Sequence, residues 1–387
     1  MIPAAAPVQR PRDARLLVID GAGRMIDARR SQLLDFLRPD DLVIANDAAT
    51  LPASLHGAHV QTGGAIEVRL AGFPPARERL HVGRAGGRPT HRAAPPLRQR
   101  RARLDVSRFV AIVFGAGDFR LRTEDRPPPP LIRPGDRLTL GPLTATVERV
   151  LGHPRLVLLH FHGAPDHVWE GLARHGRPIQ YAHVPVPLEL WHVWTPIAAA
   201  PFAFEPPSAG FSLEWSTIRH MRALGIAFAT ITHAAGLSST GDAELDARLP
   251  FDEPYHIPRV TAAAVDRARA AGGRVVAVGT TVVRALEHAG RDGRVRPGDG
   301  VATQRVGPGA LRIVSAILSG THEPGSSHYH LLRAFVDDGT LERASTHLDS
   351  LLYRTHEFGD SVLIERARAC DAARLPAARW AGTAPAA

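Results

Sequence analysis

Three stretches of small and hydroxyl-bearing residues share one design. Pro207-Ser208-Ala209-Gly210, Gly279-Thr280-Thr281 and Thr321 through Ser327 each stand just before an expected helix, and the last two directly follow an expected strand. Free backbone N–H groups at a helix start attract carboxylate or phosphate. In α/β sheets, ligands gather beyond the carboxyl ends of the strands. Each stretch alone is ordinary turn chemistry; three in one domain point to a shared pocket. Arg284 and Glu287, three residues apart, share a helix face with Thr280 or Thr281 and serve either that pocket or a surface ion pair. The 20 histidines raise the question of a metal. His160 and His162 alternate along a strand and could share a face, whereas His328 and His330 diverge on a helix. His322-Glu323 runs into Pro324, so no HExxH motif exists. Three convergent ligands do not follow from these spacings, and no metal site is expected.

The elements that must hold these loops fall into two patterns. Residues 16–20 and 41–47 are short apolar runs of strand type, bounded by Gly, Pro and Asp. Between about Val60 and Gly163, strand-like runs at 66–70, 108–114, 137–150 and 155–161 alternate with Gly/Pro/Arg-rich loops, and no helix is evident. Two of the loops, 73–103 and 122–136, read as exposed. From Ser208 the order becomes helix 212–224, strand 226–232, helix 262–271, strand 274–278, helix 282–289, strand 311–318 and helix 328–337. Thr261 is expected to cap the second helix and Gly272-Gly273 to end it. The chain thus divides into an α/β domain, 1–58 plus 164–371, and an inserted all-β domain, 59–163. The Ala/Pro/Arg-rich residues 372–387 are expected to form a disordered tail.

Composition narrows the chemistry. At 387 residues with 44% hydrophobic content, the chain can bury two or more cores. No apolar run reaches the roughly 18–20 residues a membrane span needs, and Met1 to Arg15 lacks a signal-peptide stretch; a cytoplasmic location is expected. The single cysteine, Cys370, excludes an intrachain disulfide framework and any four-cysteine metal site. None of the 47 basic residues is lysine, which excludes Schiff-base chemistry and a P-loop lysine. A net charge of +9, carried wholly by arginine, suits an anionic partner such as RNA.

Six motifs in order, from about Pro11 to Glu365, resemble the S-adenosylmethionine:tRNA ribosyltransferase-isomerase family of queuosine biosynthesis. Pro39-Asp-Asp-Leu-Val-Ile-Ala-Asn-Asp47, Leu51 to Gly57 and Thr62 to Val68 form the early signature. Pro207 to Leu213 resembles "PTAGLHF", His233 to Ser239 resembles "HVGxGTF", and Asp252 to Tyr255 approximates "SEY". Arg274 to Glu287 against "RIIAVGTTSVRTLE" is the most specific, and Phe358 to Ile364 closes the series. The resemblance implies an α/β main domain with an inserted small all-β, barrel-like domain. It also implies transfer of the ribosyl unit of S-adenosylmethionine to a 7-aminomethyl-7-deazaguanine in tRNA, with isomerisation to an epoxycyclopentanediol and loss of adenine and methionine. S-adenosylmethionine is then a substrate and no cofactor is expected; tRNA is the expected partner, and a monomer is expected.

That chemistry requires a base beside the sulfonium carbon, help for departing adenine, and groups that hold the ribose. His322 and Glu253 are the expected proton carriers, with Glu253 alternatively orienting ribose hydroxyls. Gly279, Thr280 and Thr281 are expected to receive the methionine carboxylate, and Asp47 or Asp360 its ammonium. Ser208, Gly210, His233, Arg284 and Glu287 complete the expected binding set. The sequence also departs from the family. "TNFHLPxS" becomes Ser319 to Ser327 with His322 and Pro324 kept, the "AGLHF" histidine is Ser212, and the "HSEY" histidine is Phe251. Gln180-Tyr-Ala-His183 and Gly236 to Asp242 look like features of a divergent branch, which leaves open another acceptor or a non-catalytic RNA-binding relative. A metal-dependent hydrolase is the rival from a different class.

Overall fold

The computed structural model describes residues 1–74 and 106–367. The expected tail at 372–387, and nearly all of the loop 73–103, lie outside the described residues. Nine strands form one large sheet. In order they are Gly298–Ala302, Glu253–Ile257, Ala227–His233, Leu42–Asn46, Val275–Val278, Ala316–Gly320, Ser361–Glu365, Arg15–Ile19 and Met25–Arg29. The four strands from Ala227–His233 to Ala316–Gly320 run parallel. Their continuous apolar runs follow from cover on both faces. Leu42 and Ile44 pack under the helices Arg259–Ala270 and Thr280–Ala289, in a core that extends to Asp338–Ser350. Val43 and Ala45, pointing the other way, meet the 3-10 helix Arg30–Phe36 and the helix Trp215–Ala223.

Six antiparallel strands close a separate barrel: Leu143–Val150, Leu156–Phe161, Arg108–Phe114, Ala65–Gly72, Ser54–His59 and Arg137–Leu140. The first of these in the chain, Ser54–His59, straddles the boundary expected at 58/59. The single run expected over 137–150 is a hairpin, turned at Gly141 with φ 60°. The loop 122–136 is only partly exposed. Arg126 is buried, paired with Glu67, and donates to the carbonyls of Gly115 at 2.6 Å and Gly117 at 2.8 Å.

Several element ends differ from expectation for identifiable reasons. The strand expected over 311–318 spans Ala316–Gly320, because the Glu287 carboxylate takes the backbone N–H groups of Arg312, Ile313 and Val314 at 2.8–3.1 Å. Those amides are thereby withdrawn from any ladder. The helix expected over 328–337 ends at Leu332, since Asp337 caps the next helix by accepting from Thr340 N at 2.8 Å. The helix expected at 212–224 begins at Trp215, after a 3-10 turn over Ser208–Ser212. The next helix starts at Arg259 behind Pro258, so Thr261 does not cap it; its hydroxyl donates to Thr230 O at 2.7 Å. Gly272, at φ 76°, follows its end.

Candidate active site

The three hydroxyl-rich loops meet. They wall a cleft, open to solvent, at the carboxyl ends of Val275–Val278 and Ala316–Gly320. Ser208, Gly279, Thr280, Thr281, His322 and Ser327 all line it. The central loop is shaped by Gly279, whose φ of 91° and ψ of 158° suit only glycine. A Cβ there would lie 3.3 Å from that of Ala209, so the turn also sets how closely the first and second loops approach. Beyond it, Thr280–Ala289 begins with unpaired N–H groups directed as in an anion site.

Arg284 and Glu253 also line the cleft and form a buried ion pair. Arg284 further donates to the carbonyls of Ala302 at 2.9 Å and Phe251 at 3.2 Å. Burial pulls its guanidinium down to about 10, where it still carries its proton at neutral pH. Glu253 accepts from Gly236 N at 2.7 Å through its other oxygen. With both oxygens engaged, Glu253 is suited to accept from hydroxyls rather than to shuttle protons.

His322 reaches Ser319 Oγ at 3.0 Å through Nε2, and its ring stacks on His328 at 4.6 Å. Burial, then the neighbouring His328 and His356, hold its pKa well below the usual histidine range. The expectation that it titrates near neutrality therefore does not hold in the free enzyme. Its ring is therefore neutral at physiological pH.

Five expected binding residues do not line the cleft. Asp47 is buried and accepts from Thr230 Oγ1 at 2.8 Å and Thr232 Oγ1 at 2.7 Å; burial pushes its carboxyl up. Asp360 takes Arg15 N and Arg354 N, each at 2.8 Å, and pairs with both arginine side chains. Neither stands where it meets the cleft, because each is consumed satisfying buried donors. Glu287 is spent on the three amides before Ala316. Gly210 lies just behind the cleft wall, where a Cβ would meet Thr195 Cγ2 at 2.9 Å. His233 is fully buried, 3.6 Å from Glu253 and stacked on Tyr255; burial first, then Arg284, keeps it neutral.

Other functional groups escaped the sequence reading. Glu205 lines the cleft, and burial raises its carboxyl to about 7. His183 bonds Glu357 at 2.9 Å and stacks on His356 at 4.0 Å, close behind it. Only the placement of Glu205 two residues before Pro207 signals the role, and its partner Tyr181 is 24 residues away. Among the described residues, no group of three His, Cys, Asp or Glu side chains is placed to hold a metal. His160 and His162 do share a face, with rings 5.5 Å apart. No helix among the described residues is long and apolar enough to cross a membrane.

A family model described as "Queuosine biosynthesis protein" matches residues 2–364. A protein of Sorangium cellulosum is 32% identical over 393 residues, covering 93% of this chain and 94% of its own. One of Anaeromyxobacter dehalogenans is 32% identical, covering 94% and 95%, and one of Symbiobacterium thermophilum is 30% identical, covering 93% and 95%. All three are named S-adenosylmethionine:tRNA ribosyltransferase-isomerase. A crystal structure of S-adenosylmethionine tRNA ribosyltransferase from Thermotoga maritima aligns at 20% identity with a TM-score of 0.44, over 94% of this chain and 95% of that one.

Proposed function

We propose a function on one premise: this chain belongs to the queuosine biosynthesis protein family. It is an S-adenosylmethionine:tRNA ribosyltransferase-isomerase. It transfers the ribosyl unit of S-adenosylmethionine to 7-aminomethyl-7-deazaguanine in tRNA and isomerises it to the epoxycyclopentanediol, releasing adenine and methionine. The observation that carries this reading is the convergence of the three loops and Arg284 on one cleft, within a chain that the family model matches over residues 2–364.

The roles follow from the cleft's chemistry. The N–H groups of Thr280 and Thr281, freed by the turn at Gly279, receive the methionine carboxylate at the positive end of the helix dipole. Glu253, fixed by Arg284 and Gly236, accepts from the ribose hydroxyls. His322 takes the proton from the carbon beside the sulfonium, whose positive charge acidifies it. Ser319, bonded to Nε2, orients that ring. Ser208 closes the far wall. These residues supply the acid–base and positioning work, with no cofactor beyond the substrate; activity that survives chelation by EDTA is expected. The enzyme works as a monomer in the cytoplasm.

The test is direct. Purified protein incubated with S-adenosylmethionine and tRNA bearing the aminomethyl base should release adenine and methionine in step with formation of the new nucleoside, followed by chromatography and mass spectrometry. A protein that binds S-adenosylmethionine yet leaves that tRNA unchanged would overturn the reading.

A further inference from the structure

Two segments that mark a divergent branch, Gln180 to His183 and Gly236 to Asp242, are distant in sequence yet meet at one side chain. Tyr181 Oη donates to Glu205 Oε1 at 2.5 Å, and Ser238 N donates to Glu205 Oε2 at 3.1 Å. Ser239 N in turn donates to Tyr181 Oη at 3.3 Å. Glu205 is 7% exposed and lines the cleft beside Pro206 and Pro207. Each carboxylate oxygen can accept two hydrogen bonds, so the protein fills half of the capacity and leaves one position on each oxygen. Among the described residues no arginine or histidine forms an ion pair with Glu205. Arg69, whose guanidinium lies 5.4 Å from the Tyr181 ring, is bonded to Glu67 instead. Arg69 acts on Glu205 only at a distance; a buried carboxylate that no cation contacts is costly to keep ionised, and a cationic ligand is what would complete it.

We propose that Glu205, held by Tyr181 and the Ser238 amide, is the cleft's receptor for a substrate ammonium. This rests on the functional reading above, in which the substrates offer two such groups. One is the α-ammonium of S-adenosylmethionine; the other is the aminomethyl group of the acceptor base. The assignment replaces Asp47 and Asp360, which satisfy buried donors elsewhere. It also gives the two divergent segments a shared purpose, since they shape one contact to the ligand.

The contact should depend on pH in a defined direction. Burial pushes the carboxyl up to about 7, and the nearby Glu357 charge adds to this, against the pull of Tyr181 and Ser238. Only the ionised form attracts an ammonium, so affinity should rise with pH through about 7 and level off above it. The other groups around it are Arg69 and His183 on the side of Tyr181, and Glu253, Arg284, His322 and His328 around the cleft. His322 and His328 are held below the usual histidine range by burial, and Arg284 keeps its proton, so none of these three mimics that rise.

Calorimetry and steady-state kinetics on the full chain at pH 6 and pH 8 test this. Glu205→Gln should weaken one ammonium contact about 10- to 100-fold, the usual range for a charge-assisted hydrogen bond. A rise in the Kd for S-adenosylmethionine identifies the methionine ammonium. A rise in KM for tRNA at unchanged Kd identifies the aminomethyl group. In either case the pH dependence seen in the wild type should vanish. Tyr181→Phe should keep the contact but move its pH dependence upward, because the carboxylate loses a donor. Melting at pH 8 serves as the folding control; Glu205→Gln should melt no lower than the wild type, since it removes a buried carboxylate that no cation contacts. Unchanged Kd, KM and pH dependence in Glu205→Gln would overturn the assignment. A wild type that binds S-adenosylmethionine but never modifies tRNA overturns the functional reading instead. The Kd arm then still decides Glu205, and an unchanged Kd there overturns it too.

Discussion

His322 holds a proton poorly, and that is compatible with taking one from carbon. Its ring is buried against His328 with Ser319 on Nε2, so the neutral, proton-accepting form persists through the physiological range. The expected signature is specific. His322→Asn preserves a polar side chain of similar reach while removing the base, and turnover should fall about 10²–10⁴-fold. Affinity for S-adenosylmethionine should change little, because the base acts mainly in the transition state. Because its pKa is depressed, His322 contributes no acid limb between pH 6 and 8; a limb near 7 belongs to Glu205. Near-normal adenine release with a lowered Tm would show a structural histidine instead. At this scale the sequence reveals residues whose chemistry is local. Gly279-Thr280-Thr281 reads as a ligand loop only together with the other two stretches, since a glycine turn before a helix is by itself ordinary turn chemistry. It misleads for Asp47 and Asp360. A polar residue at a strand end can equally be spent on donors that only the fold brings near, here Thr230, Thr232, Arg15 and Arg354. Glu205 was illegible for the same reason, since burial and Tyr181 are long-range facts.

Between strand and helix, one turn and one carboxylate set the cleft's shape. Gly279 occupies a backbone region costing other residues about 1–3 kcal/mol. Gly279→Ala must therefore rotate the turn or carry that strain, and either moves the N–H groups of Thr280 and Thr281 off their ligand. A lowered Tm together with at least about tenfold weaker S-adenosylmethionine binding is expected, taking one misdirected charge-assisted bond as the loss. Glu287→Gln provides the contrast. Its carboxylate serves the amides of Arg312, Ile313 and Val314 rather than the cleft, so Tm should fall while Kd stays within about threefold of wild type, less than one lost hydrogen bond would cost. Equal losses of affinity in both variants would show that the helix start is no specific receptor. The apolar runs at 41–47 and 274–278 were legible because strands buried on both faces need no alternation. The ends of the 311–318 and 328–337 elements were not, since Glu287 and Asp337 decide them from outside those runs.

Over the whole molecule, the question is where the charge of +9 meets tRNA. The arginine-rich run 120–126 is largely neutralised by neighbouring carboxylates. Arg120 pairs with Asp118 at 2.5 Å, and Arg122 pairs with Glu124 and, at 3.8 Å, with Asp125. Arg126 is buried against Glu67. Counting arginines along the chain therefore overstates the charge this loop can offer a phosphate backbone. The cluster Arg98, Arg100, Arg101 and Arg103 carries no acidic residue within its own run, which makes it the better candidate. Each phosphate contact releases counterions, so log K should fall with log salt by about 0.7–0.9 per contact. Replacing these four arginines by Gln should lower the slope by up to about three and weaken tRNA binding, while leaving S-adenosylmethionine affinity unchanged. Arg122→Gln should leave the slope intact. Arg126→Gln should lower the Tm, because it removes one of the two buried arginines that pair with Glu67. Filter binding of tRNA between 50 and 200 mM salt reads the first two, on the range over which such slopes are usually resolved, and thermal melting reads Arg126→Gln. A wild-type affinity indifferent to salt would remove arginine–phosphate pairing as the basis of tRNA recognition, and a slope unchanged in the fourfold variant would move the contact elsewhere on the surface.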